Sequence, residues 1–137
     1  LRKKKLNNKI FVLLGDGECN EGSVWEALLT ISHHNLKNII LVVDKNNFQQ
    51  TGKTQDIISN SNLLEKFQSF GIFTKEIDGH SLKEINKTFL ELLNSDTPSA
   101  IIANTIKGHG IKQFENDNKW HHSILTQEMY EECVKNF

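Results

Sequence analysis

Apolar residues in this chain come in short unbroken runs separated by longer amphipathic stretches. Ile10-Phe11-Val12-Leu13-Leu14 stops at Gly15-Asp16-Gly17, which predicts a strand buried on both faces and ended by a turn. A helix is expected next, with Asn20 as N-cap, Glu21 at its positive end, and Val24, Ala27, Leu28 and Ile31 at helical spacing. The unit then recurs. Ile39-Ile40-Leu41-Val42-Val43 reads as a second buried strand closing at Asp44, the polar stretch 45–55 as a long loop, and 62–70 as a helix. Residues 72–77 give a third strand, ended by Asp78-Gly79-His80. Ser81 and Glu84 then form a capping box that opens a helix through Ile85, Phe89, Leu92 and Leu93. Pro98 precedes a fourth strand at 100–104, and Thr126, Glu128 and Glu131 begin a last helix.

Strands alternating with helices predict an α/β fold, a doubly wound parallel sheet with helices on both faces and right-handed crossovers. Ligands bind such sheets beyond the carboxyl ends of the strands. The unusual loops, 15–20, 44–55, 78–80 and 105–122, all follow strands and so belong on one rim.

Composition narrows the function. The 137 residues carry 16 Lys plus Arg against 17 Asp plus Glu, a net charge of −1, which argues against a nucleic-acid partner. No apolar run reaches the roughly 20 residues of a membrane span, so no membrane partner is expected. Cys19 and Cys133 lie too far apart in sequence for metal-ligand spacing and supply no disulfide framework, which points to a reducing cytoplasm. The length suits one domain, but the chain opens on Leu1, not Met, and is read as a piece of a larger polypeptide.

Gly15-Asp16-Gly17 places a carboxylate at a strand end, between glycines that let a ligand approach the backbone, just before a helix N-terminus that favours anions. The second strand delivers Asp44-Lys45-Asn46-Asn47 to the same rim. Asp16 and Asn46, with a loop carbonyl, suit a hard cation such as Mg²⁺ held against a diphosphate. On the residues alone, Asp16 also fits an ordinary turn, and Glu21 an acid favoured by the helix dipole. His33-His34, adjacent on a helix, should point apart and chelate poorly. His80 is expected to cap the turn before the next helix, and His109 to lie near the phosphates. Cys19 sits in the first loop as a small buried thiol. Rival phosphate motifs fail on spacing: a P-loop ending at Gly52-Lys53-Thr54 would need a glycine at Asn47, and a dinucleotide fingerprint would need one at Asn20.

Gly15-Asp16-Gly17-Glu18, Glu21-Gly22, Trp25-Glu26-Ala27 and Asp44-Lys45-Asn46 together resemble the thiamine-diphosphate motif of the transketolase family, with thirty residues from Asp16 to Asn46. Thr105-Ile106-Lys107-Gly108-His109-Gly110 is similar to a later family loop. Glu115-Asn116-Asp117 through Lys119-Trp120-His121 is similar to the segment with a cofactor- and substrate-contacting histidine. The likeness runs from about Ile10 to the end. It implies thiamine diphosphate and Mg²⁺ (or Ca²⁺), the metal held by the Asp16 and Asn46 side chains and the Phe48 carbonyl. It further implies that Gly17 offers its N–H to the diphosphate, and that Gly15, Glu18, Gln50 and His121 complete the cofactor-binding set. His121 and Glu21 are the implied catalytic residues, Glu21 as part of a link between paired active sites. Gln50-Thr51-Gly52 departs from the family, in which an apolar residue and Asp often precede that glycine.

The implied reaction is transfer of a two-carbon ketol unit between phosphorylated sugars, part of carbohydrate metabolism. Another thiamine-diphosphate enzyme, such as one like deoxyxylulose-phosphate synthase, and a non-catalytic α/β subunit that only assembles with a partner are the alternatives. On this reading residues 1–137 are the C-terminal part of a diphosphate-binding domain. The partner is a pyrimidine-binding domain or C-terminal transketolase subunit, in a homodimer or heterotetramer.

Overall fold

The structure, a computed structural model, describes residues 8–135. Four strands form one parallel sheet: β1 (Ile10–Gly15), β2 (Ile39–Lys45), β5 (Phe73–Asp78) and β6 (Ser99–Asn104), in the order β1-β2-β6-β5. Register is continuous, from Leu14 beside Val43 to Val43 beside Ile102. Helices α1 (Gly22–His33) and α3 (Leu63–Ser69) cover one face, where Val24, Leu28, Ile31, Leu63 and Phe67 pack on Leu14, Leu41, Val43 and Ile102. Helix α4 (Leu82–Leu93) covers the other through Leu92, Ile85 and Phe89, which pack on Ile40, Ile77 and Ile101. Successive residues of β2 and β6 thus serve opposite cores, as a period of two requires. Phe67 is fully buried, and its truncation to Ala would cost about 3–5 kcal/mol.

The expected α/β class and parallel sheet are observed, with local corrections. β1 is buried on one face only: Phe11 is 54% and Leu13 72% exposed on the α4 side, where Phe11 meets Phe89 at 5.8 Å. Asn20 does not cap α1. It lies in a 3₁₀ turn (Glu18–Asn20), and Glu21 is the N-cap without a side-chain bond. Ala27 is exposed, because the α1 stripe that faces the sheet is Val24, Leu28 and Ile31. The capping box at Ser81 is half formed. Ser81 Oγ accepts from the Glu84 N–H, but the Glu84 carboxylate reaches past Ser81 to the Asp78 N–H.

The expected loop at 45–55 instead folds into a hairpin, β3 (Phe48–Gln49) with β4 (Gly52–Lys53), and runs into the short helix α2 (Thr54–Ile57). Asn47 makes this possible by taking φ 66°, a left-handed conformation that Asn tolerates. A 3₁₀ turn (Asn118–His121) and α5 (Gln127–Lys135) follow β6. Among the described residues no helix is long and apolar enough to cross a membrane.

Candidate functional site

Because all four strands run parallel, their carboxyl ends bring the loops after β1, β2 and β6 to one rim. A pocket of about 380 Å³ opens there, lined by Gly15, Asp16, Gly17, Glu18, Glu21, Asn46, Phe48, Gln50 and His121. Every residue that the family resemblance assigned to the cofactor, metal or catalysis is in that wall, whereas His109, expected near the phosphates, is not. Gln49 and Lys107 line it too. The Thr105–Gly110 similarity had already picked out the segment of Lys107. Nothing in the local pattern distinguished Gln49 from its polar neighbours.

Asp16 is the most constrained member, at 3% exposure. Its Oδ2 accepts from the Asn47 N–H at 2.8 Å and from the Thr54 hydroxyl at 3.1 Å, and its Oδ1 accepts from the Gly17 N–H at 2.9 Å. Burial raises its carboxyl above the ordinary aspartate value, and the nearby Asp44 charge adds to this. The three hydrogen bonds oppose the rise. The Gly17 N–H, expected to face a diphosphate, is therefore engaged by Asp16. Asn46 folds into an Asx turn, its Oδ1 accepting from the Phe48 N–H and its Nδ2 donating to Asp44 Oδ2, both at 3.0 Å. Glu18 accepts from the Gly15 N–H at 3.0 Å, which closes the first loop on itself.

The residues present suit an oxygen-preferring cation and an anionic group. Asp16 carboxylate, Asn46 amide oxygen and the Phe48 carbonyl are all hard oxygen donors. Among the described residues no cluster of three or more His, Cys, Asp or Glu side chains could hold a metal alone, so a cation here would need phosphate or water to complete its shell. A Cβ on Gly17 would stand 2.5 Å from Gln49 Cβ, so the loop can pass this close only as glycine. Gln49 Nε2, in the pocket wall, is buried without a hydrogen-bond partner.

His121 enters from the opposite side. It is exposed on the 3₁₀ turn, and its ring stands edge-on to His122 at 5.7 Å. Partial burial, then the Lys107 ammonium and His122, hold its pKa below the ordinary histidine value, which favours the neutral ring. Trp120 packs on buried Phe114 at 4.0 Å and supports the turn.

Other histidines depart from expectation. The His80 side chain does not cap the turn before α4: its Nε2 accepts from the Ile106 N–H at 2.8 Å, and its ring stacks on His109 at 3.7 Å. His109 is thereby drawn away from the pocket lining, with Nδ1 3.4 Å from Glu115 Oε1. His33 and His34 do end α1, but their rings meet edge to face at 4.8 Å and do not point apart. Cys19 is fully buried, and burial next to Asp16 and Glu18 pushes its thiol up to about 12, which keeps it inert.

Fold and pocket define an α/β domain with a rim pocket whose wall supplies hard oxygen donors. Sequence comparison gives the family. Residues 2–137 match the model described as transketolase, thiamine diphosphate binding domain, and the chain belongs to that family. It is 34% identical over 132 residues to an apulose-4-phosphate transketolase subunit from Phocaeicola vulgatus, covering 96% of this chain and 47% of that protein. It is also 34% identical over 131 residues to human transketolase, with 96% of this chain and 21% of that protein covered. The crystal structure of Campylobacter jejuni transketolase superposes with a TM-score of 0.87 at 32% identity, covering 94% of this chain and 20% of that one. The chain thus spans about half the length of the apulose-4-phosphate transketolase subunits it matches.

Proposed function

We propose that this chain anchors thiamine diphosphate through Mg²⁺ (or Ca²⁺) and serves a transketolase-like transfer of a two-carbon ketol unit between phosphorylated sugars. The observation that carries this reading is the convergence of Asp16, Asn46, Phe48, Glu21 and His121, from loops far apart in sequence, on one pocket. Asp16, Asn46 and the Phe48 carbonyl would hold the cation. Gly15, Gly17, Glu18 and Gln50 would shape the wall around the cofactor, with Gly17 contributing space because its N–H is committed to Asp16. When bound, the cofactor supplies the electron sink that lets a carbon–carbon bond beside a carbonyl break.

The protein's own share is positioning and proton handling. His121, whose surroundings shift its equilibrium toward the neutral ring, is suited to take or return a proton at its ring nitrogen. Glu21, exposed at the start of α1, is free to meet a second polypeptide.

Residues 1–137 are read as the C-terminal part of the diphosphate-binding domain of a cytoplasmic enzyme. The remaining site residues would come from further polypeptide and from a pyrimidine-binding domain or C-terminal subunit, in a homodimer or heterotetramer. The exposed Phe11 and Leu13 on β1 and the half-length match to separate transketolase subunits support this. The test is calorimetric titration of the complete protein with thiamine diphosphate. Binding should require Mg²⁺ and be lost in Asp16→Ala. Unchanged affinity in that variant would overturn the metal assignment, and a reconstituted complex that assembles without ketol transfer would overturn the activity.

A further inference from the structure

Asn118 stands between the two sides of the pocket. It opens the 3₁₀ turn that ends in His121, and that turn is closed locally by Asp117 Oδ1, which accepts from the Lys119 N–H at 2.9 Å. The Asn118 amide leaves the turn and crosses to the tip of the β3–β4 hairpin. Oriented so that both of its ends are satisfied, it donates to the Gln49 carbonyl at 2.8 Å and accepts from the Gly52 N–H at 3.0 Å. Gln49 and Gly52 are partners across the hairpin, so one side chain spans the base of the Gln50-Thr51 turn and ties it to His121.

The tie matters because neither the hairpin tip nor the His121 turn is set by the core. Phe48 is half-buried, and Gln50 and His121 are exposed. The other attachments of the His121 turn lead away from the hairpin: Trp120 rests on Phe114, and the Ser123 hydroxyl donates to the Lys119 carbonyl at 2.6 Å. An amide with one donor and one acceptor engaged fixes distance and direction together, which a single bond does not.

We propose that Asn118 is a positioning residue: it sets His121 relative to the Phe48 carbonyl and so couples occupation of the Asp16–Asn46 side of the pocket to the placement of the histidine. The coupling rests on the reading of this pocket as a thiamine-diphosphate and Mg²⁺ site. The tie itself is a property of the chain alone.

The test uses the full chain, isotopically labelled, first without ligands and then titrated with Mg²⁺ and thiamine diphosphate. Amide hydrogen exchange is followed at Gly52 and imidazole resonances at His121. Asn118→Ala should speed Gly52 exchange about tenfold or more and move the His121 resonances in the ligand-free chain. It should leave cofactor affinity within about threefold while abolishing the His121 shift seen on saturation of the unmodified chain. Asn118→Gln, which carries the same amide one methylene further, should recover part of both signals and serves as the second variant if the alanine form does not fold. Asn118→Leu should recover neither. Unaltered Gly52 exchange overturns the tie. Faster exchange with His121 unmoved overturns the positioning role, since Asn118 would then only close the hairpin. Failure of the complete protein, partner included, to bind thiamine diphosphate would defeat the reading of the pocket, while the ligand-free comparison still decides the tie.

Discussion

Asp16 and His121 face the same pocket but are held by different physics. Asp16 sits where β1 ends, nearly inaccessible, its Oδ2 accepting from Asn47 after β2 and from Thr54 at the start of α2 and its Oδ1 from the neighbouring Gly17. His121 hangs on a turn more than a dozen residues past β6, exposed, with its position relayed through Trp120 and Asn118. The Asp16 side is part of the fold's own hydrogen bonding, whereas the His121 side is attached to it. A binding group gains from immobility, while a proton carrier must meet a reacting atom and gains from a softer mount.

Four substitutions probe this contrast. Asp16→Ala should abolish Mg²⁺-dependent thiamine diphosphate binding, a loss on the order of 100-fold or more by calorimetry, and should also speed exchange at the Asn47 amide, whose acceptor is gone. His121→Ala should leave thermal stability within about 2 °C and cofactor affinity nearly intact, while turnover of the complete enzyme falls about 10²-fold or more. An equal loss of affinity in both variants would erase the distinction. Gly108→Ala acts behind the softer side. Gly108 has φ 74°, and an added Cβ would stand 2.4 Å from the Phe114 carbonyl oxygen, so the loop under Trp120 must shift. A stability loss of about 1–3 kcal/mol and a change in Trp120 emission are expected. Lys107→Met has the smallest effect. Removing that ammonium should raise the His121 pKa, so the ring protonates at a higher pH than in the parent, seen by following its resonances through a titration.

Much of the Asp16 side was legible in the sequence because its signals are local. Short unbroken apolar runs marked β2 and β6, and Gly15-Asp16-Gly17 sets an acid between glycines directly after a strand. β1 misled, since a run such as Ile10–Leu14 looks alike whether one face is covered or two, and only neighbouring helices decide. The β3–β4 hairpin was illegible for a different reason. Gln49-Gln50-Thr51 shows neither alternation nor a turn dipeptide such as Asn-Gly, and the hairpin depends on Asn47 taking a left-handed conformation beside Asp16. The stacking of His80 on His109 joins loops after two strands and has no trace in either loop alone.

The strand order carries a consequence for how the chain is made. β6 lies between β2 and β5, is buried along nearly its whole length, and is the last strand among the described residues. During synthesis β1, α1 and β2 can pair soon after they emerge, but β5 has no strand partner until residues 99–104 are available. At about 5–20 residues per second, the apolar flanks of β2 and β5 stay uncovered for seconds, the interval in which a nascent chain is most open to chaperones or to mispairing. The Asp16 end of the pocket, built from β1, β2 and the hairpin, would take shape on the ribosome before His121 has been translated.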